Sequence, residues 1–221
     1  NLSYPFGVQG PIASALAGDF PEIERTTRFY RRPVDIRIDG KDLLKAQVGV
    51  VDAEFFNIFD YPLVKGNVQT GLQTPFSAFI TQTLAYKLFG NEDPIGQEIL
   101  IQSKLFDHIY TITGILKDMP KTTTDELAPE LITATFSPQE STPYPQFVED
   151  IQNDWNVYYA FTYILLKPTA SVATLKEKMP DFEKRYLGDE TAQKVQYKMM
   201  PLTQLHLHGR DYGVWRVTGD I

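Results

Sequence analysis

SAFITQTLAYKLFG, residues 77–90, is the stretch from which the rest of the chain can be read. Ser77–Ile80 is short, apolar and β-prone, the pattern of a strand. Thr81 then stands at an N-cap position, and Leu84, Leu88 and Phe89 follow at the three- and four-residue spacing of one helical face. Gly90 tolerates the backbone that ends a helix. Downstream, Asn91–Gly96 reads as a turn, and Glu98–Ile101 with Ile109–Gly114 as paired strands. Upstream, Asp52 is placed to cap a short helix whose Phe55, Phe56 and Phe59 point inward.

The same reading extends to both flanks. A first helix is predicted over Pro11–Ala17, with Pro11 at its first position and Ile12, Ala15 and Leu16 as its apolar face, ending before Pro21. Two strands follow, Thr26–Tyr30 and Val34–Ile38, then an Asp39-Gly40 turn signal and a return strand through Ala46, Val48 and Val50. The last third predicts a right-handed βαβ unit: strand Tyr158–Leu166, helix Ser171–Tyr186 and strand Val195–Met200. Val172, Leu175, Met179, Phe182 and Tyr186 form the apolar face of that helix, and Pro180 predicts a kink or a break in it. Residues 137–150 hold Pro138, Pro143 and Pro145 between polar spacers and read as a mobile loop or hinge. The tail beyond His206, with Gly209, Gly213 and Gly219, is loosely ordered unless something anchors it.

Composition narrows the function. At 221 residues, 43% hydrophobic and 22% charged, the chain can build a real core. Its net charge of −7 and the absence of a basic stripe argue against nucleic acid as a partner. With no cysteine, disulfides, thiolate metal sites and cysteine nucleophiles are excluded together. No run approaches the ~18–20 apolar residues that cross a bilayer. Asn1 reads as a cut or processed end, because no Met and no signal segment precede it.

Chemistry-bearing residues are sparse. No GxxxxGK[ST] is present, and Gln97 stands where a phosphate loop after Gly90-Asn91-Glu92-Asp93-Pro94-Ile95-Gly96 would need its lysine. His206 and His208 could share one face of an extended segment and meet an ion, with His108 or Asp211 as a third ligand. Two ligands without a wider motif favour the simpler reading, with Leu207 buried and both histidines solvated, so no metal is assigned. The acid pairs Glu22/Glu24, Glu92/Asp93, Asp125/Glu126, Glu149/Asp150 and Asp189/Glu190 fall in turns and at helix ends, where solvation and helix dipoles explain them. Ser137, Ser141 and Ser171 lack a nucleophile-elbow context. Arg31-Arg32 before Pro33 reads as a solvated strand end. Phe161 and Tyr163 are assigned to the core, as is most of the cluster Trp155, Tyr158 and Tyr159, whose alternative is a partner face.

Three stretches carry a family likeness: VDAEFFNIFDYPLVKG at 51–66, SAFITQTLAYKLFGNEDPIGQEILI at 77–101 and YTITGILKDMP at 110–120. They resemble the periplasmic core domain of MacB-type ABC transporter permeases, a family that includes FtsX-like permeases. FTYILLKP at 161–168, PLTQLHLHG at 201–209 and the final Gly219-Asp220-Ile221 continue the resemblance in order. It implies an α+β fold of two subdomains: a membrane-proximal, βαβ-containing base of residues 1–65 and 154–221, and an inserted mixed α/β subdomain of residues 66–153. It implies one membrane helix before the chain and three after it, in the inner membrane of a Gram-negative bacterium. The partners implied are those helices, a cytoplasmic ABC ATPase (fused or separate), a second permease copy and a periplasmic adaptor. The implied role is non-catalytic, without cofactor, converting ATP-driven motion into periplasmic export or extraction. The Pro11 helix and the βαβ of 158–201 would be its rigid couplers. The alternative is a periplasmic ligand-binding or sensor domain, and no substrate-binding residue is assigned under either.

Overall fold

The computed structural model describes residues 7–38, 40–103, 107–120, 127–134, 149 and 152–204, apart from the Tyr159 side chain. In chain order the elements are β1 (Val8–Gln9), α1 (Ile12–Asp19), β2 (Ile23–Arg37), β3 (Leu44–Val51), α2 (Phe55–Ile58), β4 (Leu63–Lys65), β5 (Ser77–Thr81), α3 (Gln82–Phe89), β6 (Glu98–Gln102), β7 (Asp107–Leu116), β8 (Leu131–Ala134), β9 (Tyr158–Leu166) and α4 (Val172–Ala192). The chain divides into two compact units. One comprises Asn1–Arg28, Thr122–Asp125 and Glu149–Ile221; the other comprises Phe29–Lys121 and Glu126–Val148.

In the second unit the ladders close on themselves. From Phe29 onward β2 pairs antiparallel with β3, and β3 pairs parallel with β8. β8 pairs antiparallel with β5, and β5 parallel with β7. β7 pairs antiparallel with β6, which returns antiparallel to β2. The result is a six-stranded barrel, with β4 added along β7. Closure leaves these strands few unpaired edges, so most backbone groups find partners inside the unit. Val34, Ile36, Ala46, Val48, Val50, Ile80, Ile99, Ile101, Ile112 and Leu131 form the core, and Leu84, Leu88 and Phe89 of α3 pack into it.

The opening stretch forms as predicted. The Thr81 hydroxyl accepts from the Leu84 N–H at 3.3 Å, and Gly90 ends the helix at φ 64°. All five β5 residues are buried because both faces of the strand are covered. Ala78 and Ile80 face the core, while Phe79 turns toward an aromatic group in which Phe55 stacks on Phe29 and Phe56 meets Phe79 edge-on at 5.4 Å. The Phe79 ring lies where a side chain on its neighbours would be: a Cβ at Gly114 would fall 1.8 Å from it and one at Gly71 2.3 Å. Glycine at both positions is therefore a packing requirement.

The first unit is built from fewer strands. Its sheet runs β1, β9, β2, with β1 antiparallel to β9. Ile12, Leu16 and Phe20 meet Leu175, Met179 and Phe182, so α1 and α4 share one apolar core with Ile23, Ile164 and Leu166.

Several sequence expectations change. The two strands predicted either side of Pro33 are one strand, β2. Pro33 is exposed, and the ladder of β2 with β6 starts only at Asp35, so its missing N–H costs little there. Arg31 and Arg32 are accordingly not a strand end; they lie mid-strand and half-buried, opposite Gly49 and Val48. Asp52 serves α2 through its backbone carbonyl, which accepts from the Phe55 N–H at 3.0 Å. Phe55 is fully buried, whereas Phe56 and Phe59 are half-buried. In α4, Pro180 sits on the exposed face, and the one non-helical residue is Gly188, at φ 77°. Residues 195–200 form no strand, so the predicted βαβ is not completed. Their alternation is real, with Val195, Tyr197 and Met199 half-buried and Gln196 and Lys198 exposed, but no ladder receives it. Phe161 and Tyr163 are half-buried rather than core, because the α1–α4 core takes Ile164 and Leu166 from β9.

The contact division also departs from the boundaries read in the sequence. Residues 29–65 group with the second unit, since β3 pairs with β8 and the α2 aromatics pack on Phe79. Residues 137–148 and 205–221, including the proline-rich stretch up to Val148 and PLTQLHLHG from Leu205 onward, lie outside the described residues.

Candidate functional site

The first unit joins two segments that are far apart in sequence, residues 7–28 and 152–204, and its side chains show how they are fastened. Helix α4 starts at Ser171, whose hydroxyl accepts from the Ala173 N–H at 3.1 Å. From there Leu175, Met179 and Phe182 recur at helical spacing, and Phe182 packs on Phe20 with ring centroids 5.5 Å apart. Trp155 stacks on Tyr186 at 4.8 Å, which settles its role in favour of packing.

Ion pairs rim this apolar seam. Lys178 bonds Glu22, and Arg185 donates to Asp19 at 2.7 Å. The two cations are seven residues apart, hence on one face two turns from each other. The hydrogen bond from Lys178 holds the Glu22 carboxyl below the usual carboxylate range.

Two buried polar side chains, Glu183 and Gln9, also meet at the half-buried Tyr197. Glu183 is 5% exposed and Gln9 1%. The Tyr197 N–H donates to Glu183 Oε1 at 2.6 Å, and the Tyr197 hydroxyl donates to Gln9 Oε1 at 2.8 Å. Burial pushes the Glu183 carboxyl up, opposed by the N–H it accepts. Burial also raises the Tyr197 phenol, with the charges of Tyr158 and Glu183 adding to the shift.

These residues were not singled out in the sequence, although one signal was available. Met179, Phe182, Glu183 and Tyr186 follow the i, i+3, i+4, i+7 rule, which places a carboxylate on the buried stripe of α4. Gln9 carries no such signal.

The residues weighed for chemistry are distributed otherwise. Asp93 bonds Lys65 at 2.9 Å, Asp189 pairs with Lys184 at 3.0 Å and Glu190 with Lys194 at 2.6 Å, all at the surface. Glu24 lies 4.0 Å from Arg25. Ser171 is a helix cap. His108 packs on the Phe76 ring at 3.8 Å. His206, His208, Asp211, Asp125, Glu126, Asp150, Ser137 and Ser141 lie outside the described residues, so their arrangement has no geometry to report. Among the described residues no three His, Asp or Glu side chains gather in a metal-binding group. No helix among them is long and apolar enough to cross a membrane.

The family model for the MacB-like periplasmic core domain matches residues 4–182. The chain belongs to that family. MacB-like domains are parts of ABC transporter permeases, which work with ATPase partners. Solved structures agree in fold. A domain of a permease protein from Porphyromonas gingivalis superposes at TM-score 0.65 and 23% identity, over 81% of this chain and 78% of that one. The periplasmic region of MacB from Actinobacillus actinomycetemcomitans gives TM-score 0.60 at 10% identity, over 93% and 84%. The extracellular domain of the ABC-type transporter YknZ from Gram-positive bacteria gives 0.54 at 10%, over 80% and 84%. No match is found among curated proteins.

Proposed function

We propose that this MacB-like domain is a non-catalytic mechanical element, lying in the periplasm and standing on the inner membrane of its cell. Motion imposed by a cytoplasmic ATPase on the membrane helices would be passed through it to a periplasmic export or extraction step. The observation that carries this reading is the shared core of the first unit, in which residues 7–28 and 152–204 are packed against each other. A displacement entering through either segment acts on one apolar seam, because packed interiors transmit strain instead of absorbing it. On this reading the first unit is the membrane-proximal base and the barrel unit is the insert. The couplers are α1 and α4; the strand once expected at 195–200 is not among them.

These 221 residues hold no cysteine, so a thiol label placed among them meets no competing thiol within the domain. Spin labels on Lys176→Cys, at an exposed position of α4, would report the separation between two copies of the domain in the intact permease with its ATPase. The expected result is a change in that distance between nucleotide-free and ATP-bound states. An unchanged distance distribution in every nucleotide state overturns the reading.

A further inference from the structure

Residues 195–200, VQYKMM, are an anomaly in the first unit. From Val195 to Met199 they alternate between half-buried and exposed like a strand, yet no strand pairs with them. Tyr197 and Met199 rest on the α1–α4 core, and the Tyr197 ring lies 6.4 Å from that of Phe182. Tyr197 is gripped at both ends: its N–H by Glu183 of α4 and its hydroxyl by Gln9 of β1. Two buried polar side chains from different elements thus converge on one residue of an unladdered segment. A sheet ladder opens cooperatively, whereas a segment held by a few side-chain bonds can open locally at far lower cost. The family match stops at residue 182, so Glu183 and Tyr197 both lie beyond it.

We infer that residues 195–200 are a releasable strap, buckled by Tyr197 between Gln9 and Glu183. Docked, the strap ties the segment that follows α4 to β1, near the other end of the described chain. Released, it frees that segment while the α1–α4 core stays intact. The use of such a strap in setting how tightly the two segments move together rests on the coupling reading; its existence does not.

Hydrogen exchange on the 221-residue chain tests it. The Tyr197 amide is expected to exchange well before the β5 amides of residues 77–81, which report barrel opening. Tyr197→Phe keeps the ring and deletes the bond to Gln9, so exchange over 195–200 should quicken by about threefold to tenfold, with β5 unchanged. Gln9→Leu should do the same, and the double variant no more than either single one, since both remove one bond. Glu183→Gln keeps an acceptor for the Tyr197 N–H and should leave the strap docked.

Three outcomes would overturn the strap: exchange of 195–200 at the rate of β5, no change in Tyr197→Phe and Gln9→Leu, or equal acceleration of strap and β5. If the strap releases as described while the nucleotide-dependent distance change is absent in the intact permease, the coupling reading falls and the strap stands. If the distance change is present and the strap does not release, the reverse holds.

Discussion

The two units solve the same folding problem by different means. The barrel unit satisfies its backbone by closing its ladders and seals one face of β5 with Phe29, Phe55, Phe56 and Phe79. The first unit lays two helices on a three-strand sheet and completes itself with side chains: two ion pairs to α4, and the buried Gln9 and Glu183 bonded to Tyr197. Backbone closure is cooperative and insensitive to any single side chain away from the core. Side-chain fastening is divisible, because each bond can be lost without the rest. The mechanical role proposed above would draw on both kinds of construction, one holding its shape and the other letting attachments shift.

The largest expected effect probes the barrel. Phe79→Ala removes a fully buried ring that fits between two glycines and should cost about 3–5 kcal/mol. Gly114→Val attacks the same fit from the other side, by overpacking. Both should speed amide exchange in β5 and β7. Tryptophan emission comes from Trp155 and Trp215, both within the first unit's range, and should keep its unfolding midpoint. A shift of that midpoint equal to the loss in the barrel would erase the contrast between the units.

What the sequence disclosed follows the same division. The barrel's strand–cap–helix stretch was legible because each signal is local: apolar β-prone residues, a threonine cap and a terminal glycine between Ser77 and Gly90. The closure of the barrel was not legible, since the β2–β6 and β3–β8 ladders join residues more than sixty positions apart. In the first unit the alternation of 195–200 was read correctly as burial and wrongly as pairing; period-two patterning reports which face is covered, not what covers it. Pro180 misled in the same way, since a proline on the outer face of α4 does not break it, whereas Gly188 departs from the helix. The candidate site was least legible, because Glu183 looks ordinary unless it is placed on the helical stripe with Met179 and Phe182.

Acidity should separate the two carboxylates of the first unit. The folded pKa of Glu183 is raised by burial, so the native state binds its proton more readily than the unfolded chain. Its contribution to stability is fully present below the unfolded value near 4.5 and is lost as pH rises through the folded value. Glu22 is lowered by its bond to Lys178, so its contribution is present above about 4.5 and is lost as pH falls. Tryptophan-monitored urea unfolding from pH 4 to 7 should show Glu183→Gln flattening the decline toward neutral pH, and Lys178→Met flattening the loss toward acid. If neither variant changes the slope, the two carboxylates play no part in the pH response of the first unit. Thr81→Ala, removing the hydroxyl bond to the Leu84 N–H, should cost the barrel unit about 1 kcal/mol without altering either slope.

The smallest effect concerns the rim of the helix seam. Arg185 is 63% exposed and its partner Asp19 21%. An ion pair so open to water is worth about 0.2–1 kcal/mol. Arg185→Met keeps the aliphatic stem over the seam and removes the charge, so its cost in low salt should shrink as salt screens the wild-type pair. The apolar contact of Phe20 with Phe182 carries no such dependence, and Phe182→Leu should weaken the unit equally in low and high salt. No loss in Arg185→Met at either salt concentration would mean that the pair contributes nothing, leaving the seam between α1 and α4 held by packing.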